Sequence, residues 1–141
     1  STVTIGGSSV AAYWGGNATW IWYNFAEVAG YSKFGSYTGN GSSDGVFVYC
    51  GFRPAFFLAK NITDGGNWNL YDNTRGPYNL DTPFLIPNSS AAEYTGGIDL
   101  VSNGVKIRTD DSPAGSNINQ SGKTYIFAAF ASTPFKYALA R

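Results

Sequence analysis

Thr19-Trp-Ile-Trp-Tyr-Asn-Phe25 puts Ile21, Tyr23 and Phe25 on one face of an extended strand and Trp20, Trp22 and Asn24 on the other. Both faces are largely apolar, so the stretch reads as a central strand covered on both sides. It runs on into Ala26-Glu-Val-Ala-Gly-Tyr-Ser-Lys-Phe34. Near the other end of the chain, Thr124-Tyr-Ile-Phe-Ala-Ala-Phe130 leads into Ala131-Ser-Thr-Pro-Phe-Lys-Tyr137, nearly the same pattern again. Ile126 and Phe130 fall where Ile21 and Phe25 stand, and Tyr125 and Phe127 where Trp20 and Trp22 stand. Val3-Thr-Ile5 precedes the first copy and Val105-Lys-Ile107 the second, so the match extends backwards and marks an internal repeat. The expected organisation is residues 1–30 as the tail of a preceding repeat unit, packed with the domain, and residues 31–141 as a complete unit. A strand used twice in equivalent positions is scaffold, which moves the search for a ligand into the loops, above all residues 38–45 and 72–97.

Working outward, the chain alternates short apolar runs with polar, glycine-rich turns. Val46-Phe-Val-Tyr-Cys50 reads as a strand, Gly51-Phe-Arg-Pro54 as a corner, and Ala55-Phe-Phe-Leu-Ala-Lys60 as another strand that Asp64-Gly-Gly-Asn67 turns into Trp68-Asn-Leu-Tyr71. Ile98-Asp-Leu-Val101 and Val105-Lys-Ile-Arg108 flank Ser102-Asn-Gly104, and Asn-Gly between alternating segments is a strong hairpin signal. Asp72 to Gly97, interrupted by Pro77, Pro83 and Pro87, reads as a long, partly ordered excursion of the kind that often carries function. Thr38-Gly-Asn-Gly-Ser-Ser-Asp-Gly45 is a loop by composition. About ten short strands with polar turns predict an all-β fold, an antiparallel β-sandwich of jelly-roll-like type, because a lone sheet of this composition would expose an aromatic face.

Composition narrows the chemistry. Among 141 residues, nine are basic and nine acidic, so no net field draws nucleic acid or an anionic membrane. Histidine is absent and Cys50 is the single cysteine, which removes imidazole mechanisms, thiolate zinc sites and intrachain disulfides. No apolar run is long enough to cross a bilayer, so membrane insertion is not expected. The chain opens at Ser1 without an initiator methionine, as a processed or trimmed product would.

The acidic residues sit where turns are expected and where Asp bonds its own backbone. A glycosidase needs two carboxylates facing each other at a set separation, and no strand face here pairs two; the expectation is a protein that is not an enzyme and holds no cofactor. Asp110, Asp111, Asn117 and Asn119 offer oxygen atoms but lack the ligand spacing of a calcium loop, so no metal is expected. Asn-X-Ser/Thr triplets at Asn17, Asn40, Asn61, Asn88 and Asn119 arise by chance in a chain this rich in those residues. Recognition is left to aromatic rings beside amides and carboxylates, the pairing a sugar-binding surface uses. The expected ligand-binding residues are Asn40, Asp44, Trp68, Tyr71, Asp72, Arg75 and Tyr78, against the plainer reading that each aromatic among them packs in the core or at a subunit contact.

Gly30-Tyr-Ser-Lys-Phe-Gly-Ser-Tyr-Thr-Gly-Asn-Gly-Ser-Ser-Asp-Gly45, Gly51-Phe-Arg-Pro-Ala55, Gly66-Asn-Trp68, Tyr71-Asp-Asn-Thr-Arg75, Leu100-Val-Ser-Asn-Gly104 and Thr124-Tyr-Ile-Phe127 together resemble an uncharacterised domain. That domain is found near the C-terminus of large phage tail-fibre and related virion proteins, notably of marine phages. The resemblance covers nearly the whole chain and is weakest before Thr19. It implies a virion appendage domain, assembled as a homotrimer with other virion proteins, whose loops contact a host cell-surface glycan or envelope protein. It brings no catalytic residues with it. Two other functions stay open: a purely structural virion component, such as a capsid decoration or fibre-shaft spacer, and a glycan-cleaving tailspike.

Overall fold

Alternation of large apolar side chains with polar or small ones builds the strands, and their inward faces make the core. The computed structural model describes residues 23–76, 78–79, 83–110 and 117–133. Eight strands form among them: β1 (Ser32–Thr38), β2 (Phe47–Tyr49), β3 (Phe56–Asn61), β4 (Trp68–Asp72), β5 (Phe84–Leu85), β6 (Ile98–Val101), β7 (Gly104–Ile107) and β8 (Thr124–Phe130). They make two antiparallel sheets, one of five strands in the order β1-β8-β3-β4-β5 and one of three in the order β2-β7-β6. The expected all-β sandwich is therefore present, with eight described strands against about ten expected. The pair β1·β8 encloses the pair β2·β7 along the chain, a jelly-roll-like winding.

Between the sheets lie Phe57, Ala59, Tyr71, Phe84, Phe127 and Ala129 from the larger one, facing Val48, Ile98, Leu100, Val105 and Ile107 from the smaller. Phe57 stacks on Phe127 at 5.7 Å between ring centroids, and Tyr71 meets Phe84 at 5.0 Å. Such ring pairs add about 0.5–1.5 kcal/mol each beyond the area they bury. Cys50, Phe52, Ile86 and Ile118 close the core at its margins.

Both expected hairpins form. β3 pairs with β4 from Phe56↔Asp72 to Lys60↔Trp68, and β6 pairs with β7 from Ile98↔Ile107 to Val101↔Gly104. The glycine of the second hairpin serves a different purpose from the one its sequence predicts. Gly104 is the first residue of β7, and a Cβ there would lie 2.2 Å from the carbonyl oxygen of Val48 on β2. It is small because a neighbouring strand presses on it, whereas the turn itself is Ser102-Asn103.

The excursion from Asp72 to Gly97 is partly ordered, as expected: it contains a strand, β5, which pairs with β4 through Leu70↔Leu85 and Tyr71↔Phe84 and is itself bridged to Tyr94. The same excursion reaches the free edge of the smaller sheet, where the Asn79 amide donates to the carbonyl of Leu100 and accepts its N–H, both at 3.1 Å. One side chain thus stands in for a paired strand. In the first aromatic copy, residues 19–22 lie outside the described residues, and Tyr23 to Phe25 belong to no ladder, with Tyr23 79% and Phe25 64% exposed. The second copy, β8, is central in its sheet, but it is covered on one face. Tyr125, Phe127 and Ala129 point into the core, while Ile126, on the outer face, is 37% exposed.

A loop pole built on buried asparagines

β1 and β3 end, and β4 and β8 begin, at one end of the larger sheet, so the loops that follow or precede them gather there. Asn119 ties them together. Its side chain is fully buried, its Nδ2 lies 3.0 Å from Asn40 Oδ1, 2.8 Å from Ser42 O and 2.7 Å from Thr109 O, and its Oδ1 accepts the Asn40 N–H at 3.1 Å. Gly41 N–H donates to the Asn119 carbonyl and Gly122 N–H to the Gly39 carbonyl. The segments touch so closely that a Cβ on Gly39 would stand 2.4 Å from the Gln120 carbonyl oxygen. Within the loop, Asn40 Nδ2 donates to Asp44 O, Ser42 N–H to Asn40 Oδ1 and Asp44 N–H to Ser42 Oγ. These are the local bonds that make Asn, Ser and Asp favoured in turns.

A second tie joins the β3–β4 turn to the segment before β8. Fully buried Asn61 donates to Asn117 Oδ1 at 3.1 Å, and its own Oδ1 accepts the N–H groups of Thr63 and Asp64. Tyr125 Oη also donates to Asn117 Oδ1, and accepts the Gln120 N–H. Lys123 Nζ meets Asp64 at 2.9 Å, and Lys106 Nζ meets Asp44 at 2.7 Å. The hydrogen bond and charge of Lys106 hold the Asp44 carboxyl below the usual carboxylate range. The side-chain oxygens of Asn117 and Asn119 accept donors of the chain itself. Among the described residues no group of three or more His, Cys, Asp or Glu side chains comes together.

Of the seven expected ligand-binding residues, three lie at this pole. Asn40 braces the loop, Asp44 projects from it with its side chain 86% exposed, and Trp68 stands half-buried at the start of β4. Lys60 Nζ sits 5.4 Å from the Trp68 ring centroid and donates to Gly66 O, and the Trp68 N–H donates to Asn88 Oδ1. Tyr71 is corrected: alternation along β4 sends Trp68 and Leu70 outward and Tyr71 inward, where it is fully buried against Phe57 and Phe84. Asp72, Arg75 and Tyr78 are at the opposite pole. Asp72 caps the turn by accepting the N–H groups of Thr74 and Arg75, and the Arg75 guanidinium bridges Asp72 at 2.7 Å and Glu93 at 3.1 Å. Tyr78 is 83% exposed there. The seven residues therefore make two separate groups and one core member.

Sequence reading missed Asn61, Asn117 and Asn119, the residues that hold the pole rigid. Their only sequence signal is an excess of Asn in the loops, because Asn40 and Asn119 meet across a separation of 79 residues. The burial of Asn61 and Asn119 also shuts two of the five Asn-X-Ser/Thr triplets away from modification.

The class defined by this arrangement is an antiparallel β-sandwich that presents a braced, polar loop surface at one end. The chain belongs to the family described as Domain of unknown function (DUF7483), whose profile matches residues 1–134. No curated protein and no solved structure matches it.

Proposed function

We propose that this domain is a non-enzymatic binding module of a virion appendage of the phage tail-fibre kind, and that it recognises a host-surface glycan or envelope protein through the loop pole. The observation that carries the reading is the double tie made by Asn119 and Asn61. Loops braced from beneath by buried amides hold their outward groups in fixed positions before any ligand arrives, which lowers the ordering cost of binding. Those outward groups include the hydroxyls of exposed Ser42, Ser43 and Ser121, with the charges around them paired as Asp44–Lys106 and Asp64–Lys123, which suits a neutral polyhydroxylated ligand, and the half-buried Trp68 adds an apolar ring beside them.

A specific feature favours a second reading, that of a structural virion component. The outer face of the larger sheet carries a row of apolar residues across all five strands, Phe34, Ala128, Leu58, Leu70 and Leu85 in register. Beside this row, Phe130 is ringed by Phe25, Tyr31, Phe34 and Phe56 at 5.5–6.1 Å. An apolar sheet face of this extent serves contacts between virion proteins.

The two readings separate in a binding assay. The folded chain is screened against bacterial envelope polysaccharides and intact cells. Saturable binding abolished by Trp68→Ala supports recognition, and a blank screen with folded protein favours the structural component. Hydrolysis of a polysaccharide in the same screen would replace both with the tailspike.

A further inference from the structure

β2 is an outer strand of the smaller sheet, and its side chains alternate between the two faces. Val48 points into the core, whereas Phe47 is 45% and Tyr49 63% exposed on the outer face. Two glycines shape how these rings lie. A Cβ on Gly104 of β7 would stand 2.9 Å from Phe47 Cζ, and one on Gly51 would stand 3.5 Å from Tyr49 Oη. Each ring therefore leans over backbone that carries no side chain, and with one side packed its exposed surface is the other. Residues two apart on a strand stand about 6.7 Å apart, so the rings lie side by side as a shallow aromatic platform.

The backbone beside the rings is open. The Val46 carbonyl accepts the Ile107 N–H and the Cys50 N–H donates to the Asn103 carbonyl, so the even-numbered residues bond to β7. The N–H and carbonyl groups of Phe47 and Tyr49 then face away from the sheet, and no described residue bonds to them. Charge is cancelled nearby: Lys106, opposite Phe47 in the register, meets Asp44 at 2.7 Å, and Arg108 meets Asp99 at 2.6 Å. Ring faces, a phenol hydroxyl and open backbone donors and acceptors, with the charges paired, are what a neutral sugar engages through its apolar face and its hydroxyls. A protein partner is disfavoured by size. The two rings expose on the order of 200 Å², against about 800 Å² per partner in a stable protein interface. The platform also adjoins the loop pole, because Asp44 leads through Gly45 and Val46 into Phe47, and Lys106 Nζ donates to the Gly45 carbonyl. We propose that Phe47 and Tyr49 form a sugar-stacking platform, a second contact for a neutral polysaccharide that runs from the loop pole along β2. This deepens the glycan reading of the loop pole and rests on it for the course of the polysaccharide, whereas the ring pair argues for a sugar by itself.

Affinity electrophoresis tests it, in gels that carry a neutral glucan, a mannan, a galactan or a lipid-free O-polysaccharide. At least one gel should retard the unmodified chain. Phe47→Ser combined with Tyr49→Ser should weaken that binding tenfold or more and still unfold at the unmodified temperature, since both rings lie outside the core. Tyr49→Ser alone decides if the pair does not fold. Tyr23→Ser removes a still more exposed ring elsewhere and should bind like the unmodified chain; equal loss there would overturn the proposal. Binding kept by the platform variant and lost in Trp68→Ala would overturn the platform and leave the loop pole standing. Binding lost by the platform variant and kept in Trp68→Ala would support the platform and contradict the loop pole. No retardation in any gel would overturn the proposal. So would an oligomer in sedimentation that the ring changes dissociate while sugar binding persists, because the rings would then be a protein contact.

Discussion

Single side chains decide the two most local properties of the protein. Asn119 is buried and makes four hydrogen bonds to Asn40, Ser42 and Thr109, so truncation removes all four at once and leaves a void under the loop. Asn119→Ala should cost about 2–4 kcal/mol. Urea denaturation measures the loss, and amide exchange at Asn40 and Gly41 should quicken with it. A loss under about 0.5 kcal/mol would mean that the amide does not brace the pole. Cys50 is the opposite case, a reactive group made inert. Burial pushes its thiol up to about 12, leaving only about one thiolate in ten thousand at pH 8. A disulfide reagent should find no thiol in the folded protein at that pH and one after denaturation; reaction at the rate of a free thiol would contradict the packing of the β2 end.

At the scale of elements, the sign of the pH dependence follows from two exposed carboxylates. Lys106 holds Asp44 below its ordinary value, and Lys33 together with the Phe34 N–H does the same for Glu27. Both contributions are therefore complete above the usual carboxylate range of about 4 and are lost as the pH falls through the depressed folded values. Both side chains are exposed to solvent, so the effect on stability is small. Carboxyl chemical shifts should show both midpoints under the ordinary range, and an ordinary midpoint at Asp44 would mean that Lys106 does not pin the loop.

The elements also show what the sequence made legible. β3 with β4 and β6 with β7 were readable because their partners are chain neighbours separated by turn residues. β5 was not, since two residues between Pro83 and Pro87 carry no period and gain strand form only from β4 beside them. The pairing of β1 with β8 joins opposite ends of the domain, and only the repeated aromatic strand hinted that such a scaffold strand was there. At the pole, residue type put Asn40, Asp44 and Trp68 at or beside turns, and they stand there. Tyr71 was misplaced because its alternation on β4 allowed either face, and Asn119 was missed because the loop it ties lies at the other end of the sequence.

As a whole, the molecule divides its surface by chemistry: a polar, braced pole, an opposite pole where Arg75 links Asp72 and Glu93, and an apolar outer sheet face. The account assigns recognition to the first. The direct measurement is binding to the same host envelope by two folded variants compared with the unmodified chain. One combines Ser43→Arg with Trp68→Ala at the loop pole, and the other is Tyr78→Ser at the far pole. The account predicts that the first loses binding by tenfold or more, on the order of 1.4 kcal/mol, while the second binds like the unmodified chain. Loss in Tyr78→Ser with binding retained in the loop-pole variant would contradict it.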